Sequence, residues 1–193
     1  QRWRARSDAV LTGIGTLLAD DPSLNVRAEA LADWPAAGDT PPRQPLRVIV
    51  DSRLRTPATA RTLTLPGHVL VATAAATDEG RAALRAAGAE VLEVSATGDG
   101  RVDLAALLSL LAAREINEVL VEAGATLAGA LFAAGLVDEL LLYVAPTLLG
   151  DMARGLVTLP GLERLADRVA LRLDDTRNVG GDLRLTLSPA PPA

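Results

Sequence analysis

Short apolar runs recur along this chain, each closed by a polar or glycine-bearing turn, and between them lie segments with helical spacing. Residues 8–14 predict a first strand that runs into Gly13 and Gly15. A short helical turn over 16–20 follows. Pro22 stops it, because the residue before proline is pushed out of the α region. Residues 23–27 predict extended chain, and 28–45, with Trp34, Gly38, Pro41 and Pro42, a long loop. Residues 46–50 form a second buried strand that ends in Asp51 and Ser52, with a polar turn closed by Pro57. A third strand covers 68–73. Thr77, followed by two acids, starts a helix that Gly88 ends. A fourth strand covers 90–94. The clearest helix is 102–116, where Leu104, Leu107, Leu108 and Leu111 fall on one face. Another apolar strand spans 139–144, and a short helix is expected near 162–166. Near the end, Val169, Leu171 and Leu173 alternate with polar residues, as do Leu183, Leu185 and Leu187. Residues 178–182 join them, which predicts an antiparallel hairpin with one face toward water. The reading is an α/β protein, a mostly parallel sheet flanked by helices, carrying a C-terminal antiparallel hairpin. One domain over 1–188 and a tail from Pro189 onward complete it.

One stretch organises the rest: residues 118–132, EVLVEAGATLAGALF. It predicts a strand over 119–121, a carboxylate at its carboxyl end (Glu122), a tight turn at Gly124 and a helix from Thr126 to Gly135. The first helical turns carry small residues, Ala128, Gly129 and Ala130. Helix starts leave backbone N–H groups unpaired and carry positive dipole, which suits a phosphate. Open α/β sheets bind ligands at the carboxyl ends of their strands. A phosphorylated ligand and a ligand-free packing turn both fit this stretch taken alone.

Composition narrows the chemistry. The hydrophobic fraction is 49% but aromatics are 2%, so the core is aliphatic. All 19 basic residues are arginine and the formal charge is −5 without long runs, unlike the footprint of a nucleic-acid binder. No run has the length of a membrane span and the first residues are not a signal peptide, so the cytoplasm is the default expectation. Zero cysteines excludes disulfides, thiolate catalysis and cysteine-ligated zinc.

The familiar motifs fail one by one. Gly13 and Gly15 begin a dinucleotide fingerprint, but Leu18 holds the third glycine position. Gly124 to Gly129 has a P-loop gap, yet Ala130 and Leu131 stand where lysine and a hydroxyl residue are needed. Asp20 and Asp21 are a carboxylate pair suited to acid–base work, and equally a helix end before Pro22. Asp51 and Ser52 read as a turn or a ligand contact. Arg4, Arg6 and Arg27 can grip a phosphate, or form a solvated face. His68 is the only histidine and no nucleophile elbow is present, so neither a serine triad nor a metal cluster is expected. Any chemistry is better carried by a bound cofactor, and hydride transfer suits the inventory.

The motifs SDAVLTGIGTLLADDPSLNVR (7–27), RVIVDSR (47–53), VEAGATLAGA (121–130), LVDEL (136–140) and APTLLG (145–150) resemble the reductase domain of the bifunctional riboflavin-biosynthesis deaminase/reductase. They occur in that family's order and cover most of the chain. The resemblance implies a dihydrofolate-reductase-like fold that uses NADPH to reduce 5-amino-6-(5-phosphoribosylamino)uracil to its ribitylamino form. It implies cofactor contacts from Thr16, Asp20, Ser52, Gly124, Ala125, Thr126, Leu127, Ala128, Gly129 and Ala130. It implies substrate contacts from Arg4, Leu24, Arg27 and Glu122, with the arginines on the phosphate. Glu122 and Asp20 are then the carboxylates nearest the chemistry, and no metal is implied. Family members pair, which makes 136–144 a candidate homodimer seam.

Two family features have no counterpart here: the deaminase half with its zinc site, and an opening strand of Lys-x-Ala-x-Ser-Leu-Asp-Gly pattern that should be central to the sheet. On this reading Gln1 falls inside the first helix and the chain is a fragment. Two further readings stand beside the reductase: a non-catalytic nucleotide-binding module, including an inactive fragment, and a reductase of the same fold acting on another pterin or pyrimidine.

Overall fold

The computed structural model describes residues 1–31 and 42–190. It divides into two compact units, Gln1–Gly124 and Ala125–Ala193. Trp34, Gly38 and Pro41 of the expected loop, and the closing residues 191–193, lie outside the described residues.

The first unit is a parallel sheet with helical crossovers. In chain order it contains α1 (Arg2–Arg6), β1 (Ala9–Gly13), α2 (Ile14–Asp20), a 3₁₀ turn (Ala28–Leu31), β2 (Leu46–Val50) and α3 (Arg61–Thr64). Then come β3 (Val69–Thr73), α4 (Asp78–Ala86), β4 (Ala89–Glu93), α5 (Leu104–Ala112) and β5 (Val119–Val121). The strand order is β4-β3-β2-β1-β5, and every pairing is parallel. Strands covered on both faces read as continuous apolar runs, and all five residues of β3 are buried. The edge strand β4 alternates instead, with Glu90 and Glu93 exposed and paired to Arg114 and Arg81. Charges of this kind discourage pairing with a foreign strand. Leu17, Ile49, Val71, Leu84 and Val91 pack as one aliphatic cluster.

The caps follow the sequence. The Thr77 hydroxyl accepts from Gly80 N–H at the start of α4, and the Asp103 carboxylate accepts from Ala106 N–H at the start of α5. Helix α5 is shorter than the expected 102–116. Val102 is drawn into a bridge with Ala96, and its N–H donates to Ser52 Oγ. At the other end Glu115 sits at φ 63°, which breaks the helix. Residues 23–27 are not extended as expected, because Leu24 takes φ 55° with its side chain 2% exposed. The helix α3 has no counterpart in the sequence reading. Its cause is Arg47, fully buried within β2, whose guanidinium donates to the carbonyls of Thr62, Leu65 and Pro66 at 2.6, 3.0 and 2.9 Å. Burial without a carboxylate partner lowers its pKa.

The second unit contains α6 (Ala125–Ala133), β6 (Leu140–Val144), a 3₁₀ turn (Leu165–Asp167), β7 (Leu171–Val179) and β8 (Asp182–Pro189). The expected hairpin is present, turned by Gly180 at φ 63°, and β6 extends it to an antiparallel sheet of order β6-β8-β7. Pro189 belongs to this sheet, opposite Leu171, rather than to a tail. The short helix expected over 162–166 is one 3₁₀ turn, closed by an Arg164–Asp167 pair. Gly129 is obligatory: a Cβ there would lie 1.9 Å from the Thr158 carbonyl oxygen, and Thr158 N–H donates to the Ala125 carbonyl. Among the described residues no helix is long and apolar enough to cross a membrane.

Candidate active site

Sheet order places the site. The chain moves outward from β1 through β2, β3 and β4, then returns to lay β5 on the other side of β1. The crevice beyond the carboxyl ends of β1 and β5 is therefore a topological switch point, where open α/β sheets bind ligands. Glu122 directly follows β5, and its N–H continues the ladder onto the Leu11 carbonyl at 2.9 Å. Across the crevice, Gly124 N–H donates to the Thr16 hydroxyl at 3.1 Å. Nothing lies within 4 Å of where a Gly15 side chain would start, so the mouth beside Thr16 is open.

Glu122 is held from α1. Arg4 Nε and Nη2 donate to its two carboxylate oxygens, each at 2.6 Å, a forked charge-assisted pair. Arg4 Nη1 donates to the Asn25 carbonyl at 3.0 Å. The side chains are 17% and 35% exposed, so the pair is sheltered but reachable from solvent. Arg4 also borders a cavity of about 430 Å³ lined by Ser23, Asn25, Arg27, Glu29 and Arg61. Leu24 turns its own side chain into the core, and its left-handed backbone aims both neighbours at this cavity. A bulky residue in that conformation stores strain, which natural chains keep mainly where function needs it.

The root of the site is pinned by Asp8, which precedes β1. Its carboxylate accepts from Arg43 and from the backbone N–H groups of Asn117 and Glu118 ahead of β5. These bonds hold the Asp8 pKa below the usual carboxylate range, the Arg43 bond first among them.

The structure sorts the sequence candidates. Arg4 and Glu122 meet, Arg27 lines the adjoining cavity, and Thr16 meets Gly124. Asp20 is the exposed last residue of α2. Its neighbour Asp21 caps that helix at φ 40° and accepts the Arg61 N–H, so the pair does form a helix end. Ser52 Oγ accepts from Val102 N–H. Asp51 is the turn former that the sequence allowed: its Oδ2 accepts from Thr56 N–H and Oγ, while Oδ1 is buried without a partner. Ala125 to Ala130 are the first turns of α6, which carry no acid to repel an anion. Ser23, Asn25, Glu29 and Arg61 were missed. Only the fold brings Arg61 beside Arg4, so no local spacing signals it.

Comparison with known proteins adds lineage. Residues 1–185 match the family described as RibD C-terminal domain. The riboflavin biosynthesis protein RibD of Escherichia coli (strain K12) is 43% identical over 190 residues, covering 97% of this chain and 50% of that protein. The 5-amino-6-(5-phosphoribosylamino)uracil reductase of Buchnera aphidicola is 30% identical over 192 residues, covering 98% and 90%. A solved structure of Acinetobacter baumannii RibD superposes with a TM-score of 0.81 at 39% identity, covering 98% of this chain and 48% of that one. The chain thus spans about half the length of the RibD relatives it matches.

Proposed function

The chain belongs to the RibD C-terminal domain family, and we propose that it reduces 5-amino-6-(5-phosphoribosylamino)uracil to 5-amino-6-(5-phosphoribitylamino)uracil with NADPH, a step of riboflavin biosynthesis. The observation that carries this reading is the switch-point crevice. There a carboxylate held by a forked arginine stands between an open, hydroxyl-bearing mouth and an arginine-lined cavity. The Buchnera relative, of which the chain covers 90%, bears the name of this reductase.

The mouth suits a nicotinamide nucleotide. It offers the Thr16 hydroxyl and open space beside Gly15. By the family resemblance Thr16, Asp20, Ser52 and Gly124 of the first unit would contact the cofactor. The resemblance also names Ala125 to Ala130, which within the second unit are the start of α6, where early N–H groups suit a phosphate. When bound, NADPH supplies the hydride. In the reaction the ribose C1–O4 bond breaks, C1 gains hydride and the ring oxygen gains a proton, leaving a ribityl chain and NADP⁺.

The residues of the chain orient this exchange. Arg4 fixes Glu122 in one rotamer, so its carboxylate presents an aligned acceptor to the substrate's N–H and O–H groups. Leu24 sets the backbone at the cavity wall, and Arg27 meets the phosphate. Asp20, the second carboxylate of the site, stands on the cofactor side. Placement of this kind supplies much of the rate in a reaction whose chemistry the cofactor carries. The same reading includes a homodimer through 136–144, where Tyr143 and Val144 are each 44% exposed.

The test is NADPH oxidation in the presence of the phosphoribosylaminouracil, followed by detection of the ribitylamino product. Turnover that falls about 100-fold or more in Glu122→Ala is expected, on the scale of a lost positioning contact. Absence of turnover in the wild-type chain overturns the reading. Running NADH alongside fixes the coenzyme.

A further inference from the structure

Three arginines line the cavity, and their surroundings differ. Arg4 is committed to Glu122 and to the Asn25 carbonyl. Arg27 and Arg61 form no ion pair with any described residue. We propose that Arg61 is a phosphate-binding residue that works with Arg27 on the 5-phosphate of a five-carbon sugar, while Arg4 positions Glu122. This assignment deepens the substrate reading above and rests on it for the cavity's role.

Charge points the same way. Glu122 meets the charge of Arg4, and Glu29 is the one carboxylate among the described residues that line the cavity. Against Arg27 and Arg61 it leaves an uncompensated positive charge. A phosphate monoester carries close to two negative charges at neutral pH and accepts forked guanidinium bonds. Ser23 and Asn25 give the same wall neutral polar groups suited to sugar hydroxyls.

The segment that carries Arg61 is anchored on both sides by groups that serve no other contact in the site. Ahead of it, Arg61 N–H donates to Asp21 Oδ1 at 2.8 Å, and Asp21 is itself fixed as the left-handed cap of α2. Behind it, buried Arg47 gathers the carbonyls of Thr62, Leu65 and Pro66. These anchors act through the main chain. The Arg61 side chain, exposed to solvent, contributes none of them. Truncating it therefore leaves the α3 turn in place, which separates a binding role from a structural one.

The experiment is calorimetric titration of the wild-type chain, Arg61→Ala and Arg85→Ala with ribose 5-phosphate and with ribose. Arg85 is an exposed arginine in the last turn of α4 and serves as control. Loss of one charge-assisted contact weakens binding about 10–100-fold. The expected result is that loss in Arg61→Ala for ribose 5-phosphate alone, with Arg85→Ala at the wild-type value. Wild-type affinity in Arg61→Ala overturns the proposal. So does an equal loss for ribose, and so does a wild-type chain that ignores ribose 5-phosphate. A chain that binds ribose 5-phosphate through Arg61 yet never oxidises NADPH refutes the reductase assignment and leaves the phosphate seat standing.

Discussion

The two units treat their apolar residues in opposite ways. Gln1–Gly124 fully buries more than half of its large aliphatics, among them Val10 and Leu11 in β1 and Leu107 and Leu111 in α5. Ala125–Ala193 has Leu131 as its one buried large aliphatic among the described residues, while Leu148, Leu149, Met152 and Leu165 are 80% exposed or more. A parallel sheet covered by crossover helices makes its own core. A three-stranded antiparallel sheet of this length, with apolar side chains facing water, does not. The contrast assigns roles: rigidity, and with it the Arg4–Glu122 pair and the arginine cavity, belongs to the first unit. The second unit is expected to open first.

The strongest way to break that contrast is to weaken the rigid unit. Arg47→Leu strands the carbonyls of Thr62, Leu65 and Pro66 and should cost about 3–5 kcal/mol, read as a lower urea midpoint. An unchanged midpoint would show that this burial is not what holds α3. Next in size, Gly129→Ala forces a methyl group against the Thr158 carbonyl and should cost about 1–3 kcal/mol. Hydrogen exchange would report that loss in β6, β7 and β8 before any change in β1 to β3. Thr16→Val removes the acceptor of Gly124 N–H and should cost about 1 kcal/mol, with a larger proportional loss in cofactor affinity. Equal cofactor binding by the two proteins would take Thr16 out of the mouth.

The smallest effect depends on pH. The folded pKa of Asp8 lies below its unfolded value, so its contribution is complete above the ordinary carboxylate range and is lost as pH falls through the folded pKa. Asp8→Asn should therefore be less stable than wild type near neutrality by under about 1 kcal/mol, with the two curves converging in acid. Parallel curves down to low pH would contradict this linkage.

Much of the rigid unit was legible in the sequence because its signals are local. Continuous apolar runs marked β2 and β3, Thr77 announced its helix, and the pair Asp20 and Asp21 ahead of Pro22 marked the end of α2. What stayed hidden depends on distant partners. Arg47 sat inside an apolar run and read as strand, although its guanidinium shapes a segment 15 to 19 positions away. Leu24 gave no sign of a left-handed backbone, so 23–27 read as extended. Arg4 and Glu122 were each legible as candidates, and the family resemblance set both on the substrate, but their meeting across 118 positions is a product of the parallel crossover. The helix over 102–116 was drawn too long because periodicity cannot see Val102 leaving for Ala96.

The most direct measurement is a crystal of this chain grown with NADP⁺ and the ribitylamino product. The account predicts the nicotinamide beyond the carboxyl ends of β1 and β5, the sugar carbon beside a Glu122 still gripped by Arg4, and the phosphate in the arginine cavity. Ligands lodged elsewhere, with this crevice holding only solvent, would contradict it.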